Sequence, residues 1–324
     1  MNENEKMQDP ELNLDDIFGN YYGGFVVEVS DDTVLGTCIG TVTEEKTFMM
    51  GDESVSADTV NRAYEDKLES VYSCNIDQSE SKVETFSYEA TKRVAPAIKV
   101  AKPKVLIPVF PGTNCEYDSA RAAERAGLEA EIVVIKNLTS SAIAESTEYF
   151  AKRLEDSQII FIPGGFSGGD EPEGSGKFIT AFFRSPEIKD GVMKLLKQRD
   201  GLMCGICNGF QALIKLGLVP YGRITDADAN APTLSFNNIS RHQSKLVRIR
   251  VASNKSPWLR GTEVGDVYTV PISHGEGRFF ASEELALELA SKGQIATQYV
   301  DLDGNATGDI DFNPNGSLCA IEGI

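Results

Sequence analysis

From residue 104 onward, short apolar runs alternate with stretches of helical spacing. Val105–Phe110, Glu131–Lys136 and Gln158–Ile162 read as buried strands. Between and after them lie helical patterns over Glu116–Ala126, Ala142–Leu154, Gly176–Phe183 and Ile188–Gln198. Asn114 is the expected cap of the first, and Gly127 its stop. A fourth apolar run begins at Gly201, breaks at Gly205–Gly209 and resumes as a helix. The apolar positions of that helix are Phe210, Leu213, Ile214 and Leu216, with a stop at Gly217. This alternation predicts an α/β fold, a mostly parallel central sheet flanked by helices. Sites in such sheets lie beyond the carboxyl ends of the strands. Pro111-Gly112, Gly164-Gly165 and Cys207 all fall at those ends.

After Gly217 the pattern becomes antiparallel. Strands are expected over 233–238, 244–251, 267–272, 295–300 and 318–321, with a helix over 282–291. Upstream, residues 1–17 form a polar, acidic lead-in. Residues 21–29 and 33–42 read as strands joined by a turn at Ser30–Asp32, followed by a short strand over 47–50. A helix is expected over 56–71, capped by Ser56 or Asp58. Residues 73–104, poor in apolar side chains and holding Pro96 and Pro103, read as a linker. The expected division is a small N-terminal α+β segment with its linker over 1–98 and a main domain over 99–324.

Composition narrows the function. Of 324 residues, 41% are hydrophobic and 25% charged, enough apolar content for a full core. The net charge of −18 argues against nucleic acid or an anionic membrane as partner. Six cysteines are scattered without disulfide-like density. With no signal-peptide pattern and no apolar run of membrane-spanning length, a cytoplasmic protein is expected.

The candidate chemistry centres on Gly205-Ile206-Cys207-Asn208-Gly209. A Cys where a strand breaks into a helix stands on a sharp turn beside the helix's first free N–H groups. Those groups favour thiolate and stabilise an oxyanion. The frame is the cysteine form of a nucleophile elbow. Two plainer readings compete: a buried structural Cys, and a redox or zinc pair formed by Cys204 and Cys207. With no second C-x-x-C and only His242 and His274 as imidazoles, zinc is poorly supported and no metal is expected. Gly164-Gly165 and the Asn208 N–H are candidate oxyanion donors, and Gln211 lies one helical turn past Cys207. His274 with Glu276 is a conceivable base and orienting carboxylate, against a loop that meets a ligand by its backbone. The glycine-rich stretch from Gly164 to Asp170 lacks the spacing of a phosphate loop.

Five motifs together carry a resemblance: Pro-Gly-Thr-Asn-Cys-Glu116, Pro-Gly-Gly-Phe-Ser-Gly-Gly-Asp170, Gly-Ile-Cys-Asn-Gly-Phe-Gln211, Ser-His-Gly-Glu-Gly-Arg-Phe279 and Gln-Ile-Ala-Thr-Gln-Tyr-Val300. The chain from about 104 resembles the class I (triad) glutamine amidotransferases, which have a flavodoxin-like fold. More narrowly, it looks like the glutaminase domains of the phosphoribosylformylglycinamidine synthase family. The resemblance implies that Cys207 attacks the side-chain amide of glutamine, forms a thioester and releases ammonia. That ammonia would feed an ATP-dependent conversion of formylglycinamide ribonucleotide to its amidine in purine biosynthesis. It implies an oxyanion hole at Gly165 and Asn208. Glutamine would be held by Gly164, Phe166, Gln211, Ser273, His274 and Gly275. It implies no cofactor for the glutaminase step, ATP and Mg for the synthetase step, and a synthetase domain of the same parent enzyme as partner.

Residues 15–75 are similar to the tail of such a synthetase domain. The family's triad His and Glu come from a His-x-Glu beyond the strand expected at 318–321, and the 324 residues hold no such motif there. The expectation is therefore a fragment of a longer enzyme, short at both ends, with little glutaminase activity alone. The competing expectations are a binding or scaffold fragment that keeps the glutamine pocket, and a related elbow hydrolase acting on gamma-glutamyl bonds.

Overall fold

The computed structural model describes residues 19, 22–30, 33, 35–71, 83–92, 95–166 and 176–324. The chain divides into two compact units, residues 1–74 and 75–324. In the first, β1 (Thr47–Met50) pairs antiparallel with β2 (Glu53–Ser56) across a two-residue turn at Gly51-Asp52. Gly51 takes the positive φ of 59° that such a turn requires. Helix α1 (Ala57–Glu65) follows, and the Ser56 side chain accepts from the Thr59 N–H as its cap. The strands expected over 21–29 and 33–42 are not formed among the described residues of those segments. Tyr21, Asp31, Asp32 and Val34 lie outside the described residues. Phe25 is 90% exposed and Leu35 64%, so alternation there has no apolar surface to pack on and does not make a ladder.

In the second unit, four parallel strands form the sheet that carries the site. They are β3 (Lys104–Val109), β4 (Glu129–Val134), β5 (Ile159–Ile162) and β6 (Leu202–Gly205), in the order β4-β3-β5-β6. Their side chains divide with the two-residue period of a strand. Val105, Ile107 and Ile159 pack on one face with Ala120 and Ala123 of helix α2 (Glu116–Arg125). Leu106, Ile160 and Ile162 pack on the other. There they meet α3 (Ser140–Glu155), α4 (Lys177–Arg184), α5 (Pro186–Gln198) and α6 (Asn208–Leu216). Helices thus cover both faces. The expected Asn114 cap is not made: Cys115, at φ 68°, occupies the cap position of α2 without a side-chain bond.

The chain runs from β3 outward to β4 and then crosses to β5 on the other side. This reversal opens a crevice at the carboxyl ends of β3 and β5, the place where ligands bind in such sheets.

The rest of the unit is antiparallel. Strands β7 (Thr233–Ser235) and β10 (Arg278–Phe280) pair, and β8 (Gln243–Val251), β9 (Val267–His274), β11 (Thr297–Tyr299) and β12 (Ile321–Gly323) form a sheet ordered β12-β11-β8-β9. Helix α7 (Glu283–Ser291) is capped by Ser282. The strand expected over 318–321 is instead a helical turn at Leu318–Ala320, and β12 starts only at Ile321. Gln298 Nε2 donates to the Cys319 carbonyl at 2.8 Å, which takes that carbonyl out of ladder pairing.

Part of the stretch read as a linker is bound to this unit. Phe86 is buried, its N–H donates to Gln298 Oε1 at 2.8 Å, and Tyr88 bridges to Ser253.

Candidate active site

Cys207 sits between β6 and α6 with φ 54° and ψ −111°, a conformation a non-glycine residue holds only where its surroundings enforce it. The two flanking glycines are part of that enforcement. A Cβ on Gly209 would stand 2.2 Å from the Ile162 carbonyl oxygen, and one on Gly205 would stand 2.5 Å from Gly209 backbone. Strand and helix approach so closely that only glycine fits on either side of the cysteine. Cys207 is half-buried, at the N-terminus of a nine-residue helix whose dipole favours negative charge there.

Cys204, three residues earlier on β6, has a different environment. Burial pushes its thiol up to about 11. It stays protonated at neutral pH, so of the two it is the poorer nucleophile.

The crevice brings the di-glycine turn onto the elbow. A Cβ on Gly164 would lie 3.1 Å from the Cys207 Cβ and 3.7 Å from its sulfur. Gly165, at φ 128°, bridges to Thr113, and a Cβ there would stand 2.4 Å from the Gly112 carbonyl oxygen. Asn114 N–H donates to the Gly164 carbonyl at 2.9 Å, and Phe166 N–H donates to the Gly112 carbonyl at 2.7 Å. Both flanks of Gly165 are therefore tied to the loop after β3, which fixes how its peptide faces. The Phe166 side chain is 43% exposed. The remainder of this glycine-rich stretch, through Asp170, lies outside the described residues.

Gln211 and Asn208 form the other wall. Both are buried, and Asn208 Nδ2 donates to Gln211 Oε1 at 3.0 Å. Gln211 Nε2 donates to the Glu276 carbonyl at 3.0 Å and to Glu276 Oε2 at 3.3 Å. The arm formed by Ser273, His274, Gly275, Glu276 and Gly277 is thereby joined to the elbow helix. Ser273 Oγ pairs with His242 Nε2 at 2.9 Å.

The His274–Glu276 pair is not assembled as base and orienter. The Glu276 carboxylate is used on Gln211, while His274 Nδ1 is buried with no hydrogen-bond partner. Burial lowers the pKa of His274, its own backbone opposes that shift and nearby His242 adds to it, so the neutral ring is favoured. A Cβ on Gly277 would stand 2.5 Å from His274 Nδ1, so the ring lies against its own arm. Among the described residues no group of His, Cys, Asp and Glu is placed to hold a metal ion.

One residue with a hand in this geometry carries no sequence signal: Asn237. Its contacts are with the arm, 37 to 40 residues away. Neither periodicity nor a motif marks it.

The profile of the CobB/CobQ-like glutamine amidotransferase domain matches residues 102–324. The chain is similar to the phosphoribosylformylglycinamidine synthase subunit PurQ of Methanococcus maripaludis strain C7. Identity is 37% over 231 residues, 70% of this chain and 78% of that one. It is also similar to the subunit of the same name from Treponema denticola, 36% identical over 236 residues, 69% of this chain and 82% of that one. A solved structure, PurLQS from Thermotoga maritima, is 27% identical with a TM-score of 0.46, over 68% of this chain and 80% of that one.

Proposed function

We propose, from the premise that this chain belongs to the CobB/CobQ-like glutamine amidotransferases and groups with their PurQ members, that it is the glutaminase of a phosphoribosylformylglycinamidine synthase. The observation that carries the reading is Cys207 on a strained elbow with Gly164 packed against it. In the reaction, the Cys207 thiolate attacks the side-chain amide carbon of glutamine and a C–S bond forms. The oxyanion receives hydrogen bonds from the N–H groups of Gly165 and Asn208. The C–N bond then breaks, nitrogen leaves as ammonia with the proton the thiol gave up, and water cleaves the thioester to glutamate. Gly164, Phe166, Gln211, Ser273, His274 and Gly275 hold the substrate.

The relatives are named as subunits of a synthase, and we take this chain to supply a synthetase partner with ammonia. In this reading the glutaminase step uses no cofactor, and ATP with Mg is the requirement of that partner. There the ammonia converts formylglycinamide ribonucleotide to the amidine. We read the first unit as the tail of a synthetase-type domain. Its exposed Phe48, Met49 and Met50 fit a piece whose packing surface is supplied from elsewhere. The cysteines are scattered without disulfide-like spacing, which fits a reducing cytoplasm.

With Glu276 bonded to Gln211 and His274 lying on its own arm, no imidazole–carboxylate base is assembled among the described residues. We expect slow ammonia release from the 324-residue chain. The test is to incubate it with glutamine, quench in acid and map the peptides by mass spectrometry. The reading expects a glutamyl adduct on the Cys207 peptide, absent in Cys207→Ala. An adduct elsewhere, or none on prolonged incubation, would overturn it.

A further inference from the structure

The arm from Ser273 to Gly277 is held in a conformation that leaves polar atoms in it and beside it without partners. His274 Nδ1, Arg278 Nε and Asn315 Oδ1 are all buried and unsatisfied, and Asn315 is 0% exposed. Two of these three residues flank Gly277, where a Cβ would stand 2.5 Å from His274 Nδ1 and 2.8 Å from Asn315 Nδ2. Unsatisfied buried polar groups are unfavourable, so something else must hold the arm. Asn237, 1% exposed, is placed to do so. Its N–H donates to the Gly275 carbonyl at 2.9 Å, and its Nδ2 donates to the His274 and Arg241 carbonyls, each at 2.9 Å. Its Oδ1 accepts from the Gly277 N–H at 3.2 Å. Both side-chain donors and the side-chain acceptor are used, and three of its hydrogen bonds go to the arm.

The other end of the arm meets the elbow helix through Glu276 and Gln211, and Gln211 holds Asn208, the residue after the nucleophile. We propose that Asn237 is a positioning residue for the glutamine pocket. By fixing His274, Gly275 and Gly277 it sets Glu276 against Gln211, and so sets the amides of Gln211 and Asn208 beside Cys207. This rests on the glutaminase reading above. A satisfied buried asparagine with no such role would stabilise the fold without affecting recognition of glutamine. The Asn237 contacts instead converge on the arm that bonds the elbow helix.

The test is saturable alkylation of the full chain by a chloromethyl ketone carrying the glutamine skeleton, with iodoacetamide as a probe that ignores the pocket. Asn237→Ala is expected to raise the half-saturating concentration about tenfold, the worth of one net hydrogen bond. The limiting rate and the iodoacetamide rate should stay unchanged. Asn237→Asp keeps the side-chain volume and removes both donors, and the same shift is expected should the alanine variant not fold. Combined with Gln211→Leu, the Asn237 effect should be less than additive, because both act through one chain of contacts. A wild-type half-saturating concentration in Asn237→Ala, or in Asn237→Asp where alanine does not fold, would overturn the inference while leaving the glutaminase reading in place. Full additivity with Gln211→Leu would also overturn it. Failure of the wild type to saturate would overturn both.

Discussion

The two walls of the pocket are built by opposite means. On the elbow side, backbone meets backbone: Gly205, Gly209, Gly164 and Gly165 lie where no Cβ could be placed without a close contact. On the arm side, amide side chains do the joining, through Asn237, Gln211 and Asn208. The first wall tolerates no added atom, and the second loses its shape when an atom is removed. Substitutions should therefore act through overpacking on the elbow side and through lost hydrogen bonds on the arm side.

The largest expected effect breaks the elbow. Gly209→Ala places a methyl group 2.2 Å from the Ile162 carbonyl oxygen, and overpacking of that kind should destabilise by about 3 kcal/mol. Denaturant unfolding measures it, and a change within error would mean that the strand and helix can part freely.

Gln211→Leu comes next and probes the join between the walls. It removes the hydrogen bonds that join Gln211 to the Asn208 amide and to Glu276, at a cost of about 1–3 kcal/mol. An unchanged unfolding midpoint would separate the arm from the elbow energetically.

Cys207→Gly should go the other way. Glycine adopts φ 54°, ψ −111° without strain, and relief of that strain, less the added chain entropy, should stabilise by about 1 kcal/mol. Loss of stability on that substitution would show that the elbow is not strained.

These contrasts explain what was readable beforehand. The Gly-x-Cys-x-Gly frame announces itself because the required contact admits a single residue type. The parallel sheet was equally legible, since strands buried on both faces are apolar along their length, as in β3 and β5. Asn237 was not, because its partners come from β9 and the turn after it, and asparagine is common in ordinary turns. The strands expected over 21–29 and 33–42 failed for a related reason, whereas the one over 47–50 formed. Alternating side chains at 22–29 and 35–42 specify a strand only when a neighbour offers an edge and an apolar face. The spacing of His274 and Glu276 suggests a pair, and it does not reveal that Gln211 takes the carboxylate.

The smallest effect lies outside both walls and serves as their control. Glu322, half-buried, has its pKa raised by desolvation, partly countered by the Thr297 hydroxyl. The folded state then binds its proton more tightly than the unfolded state. Its contribution to stability is full below the ordinary carboxylate pKa and is lost as pH rises through the folded value. Glu322→Gln should raise the unfolding midpoint at about pH 8 and leave it unchanged near pH 4. A gain at the acidic pH instead would reverse the assigned cause.

The most direct test of the account compares the two cysteines of β6 and its turn in one experiment. Native chain is alkylated with iodoacetamide at neutral pH, with and without saturating glutamine, and every cysteine peptide is quantified by mass spectrometry. The account predicts that Cys207 reacts, that glutamine protects it, and that Cys204 stays unmodified because its buried thiol is held up at about 11. Modification of Cys204 alongside Cys207, or a Cys207 rate indifferent to glutamine, would contradict it.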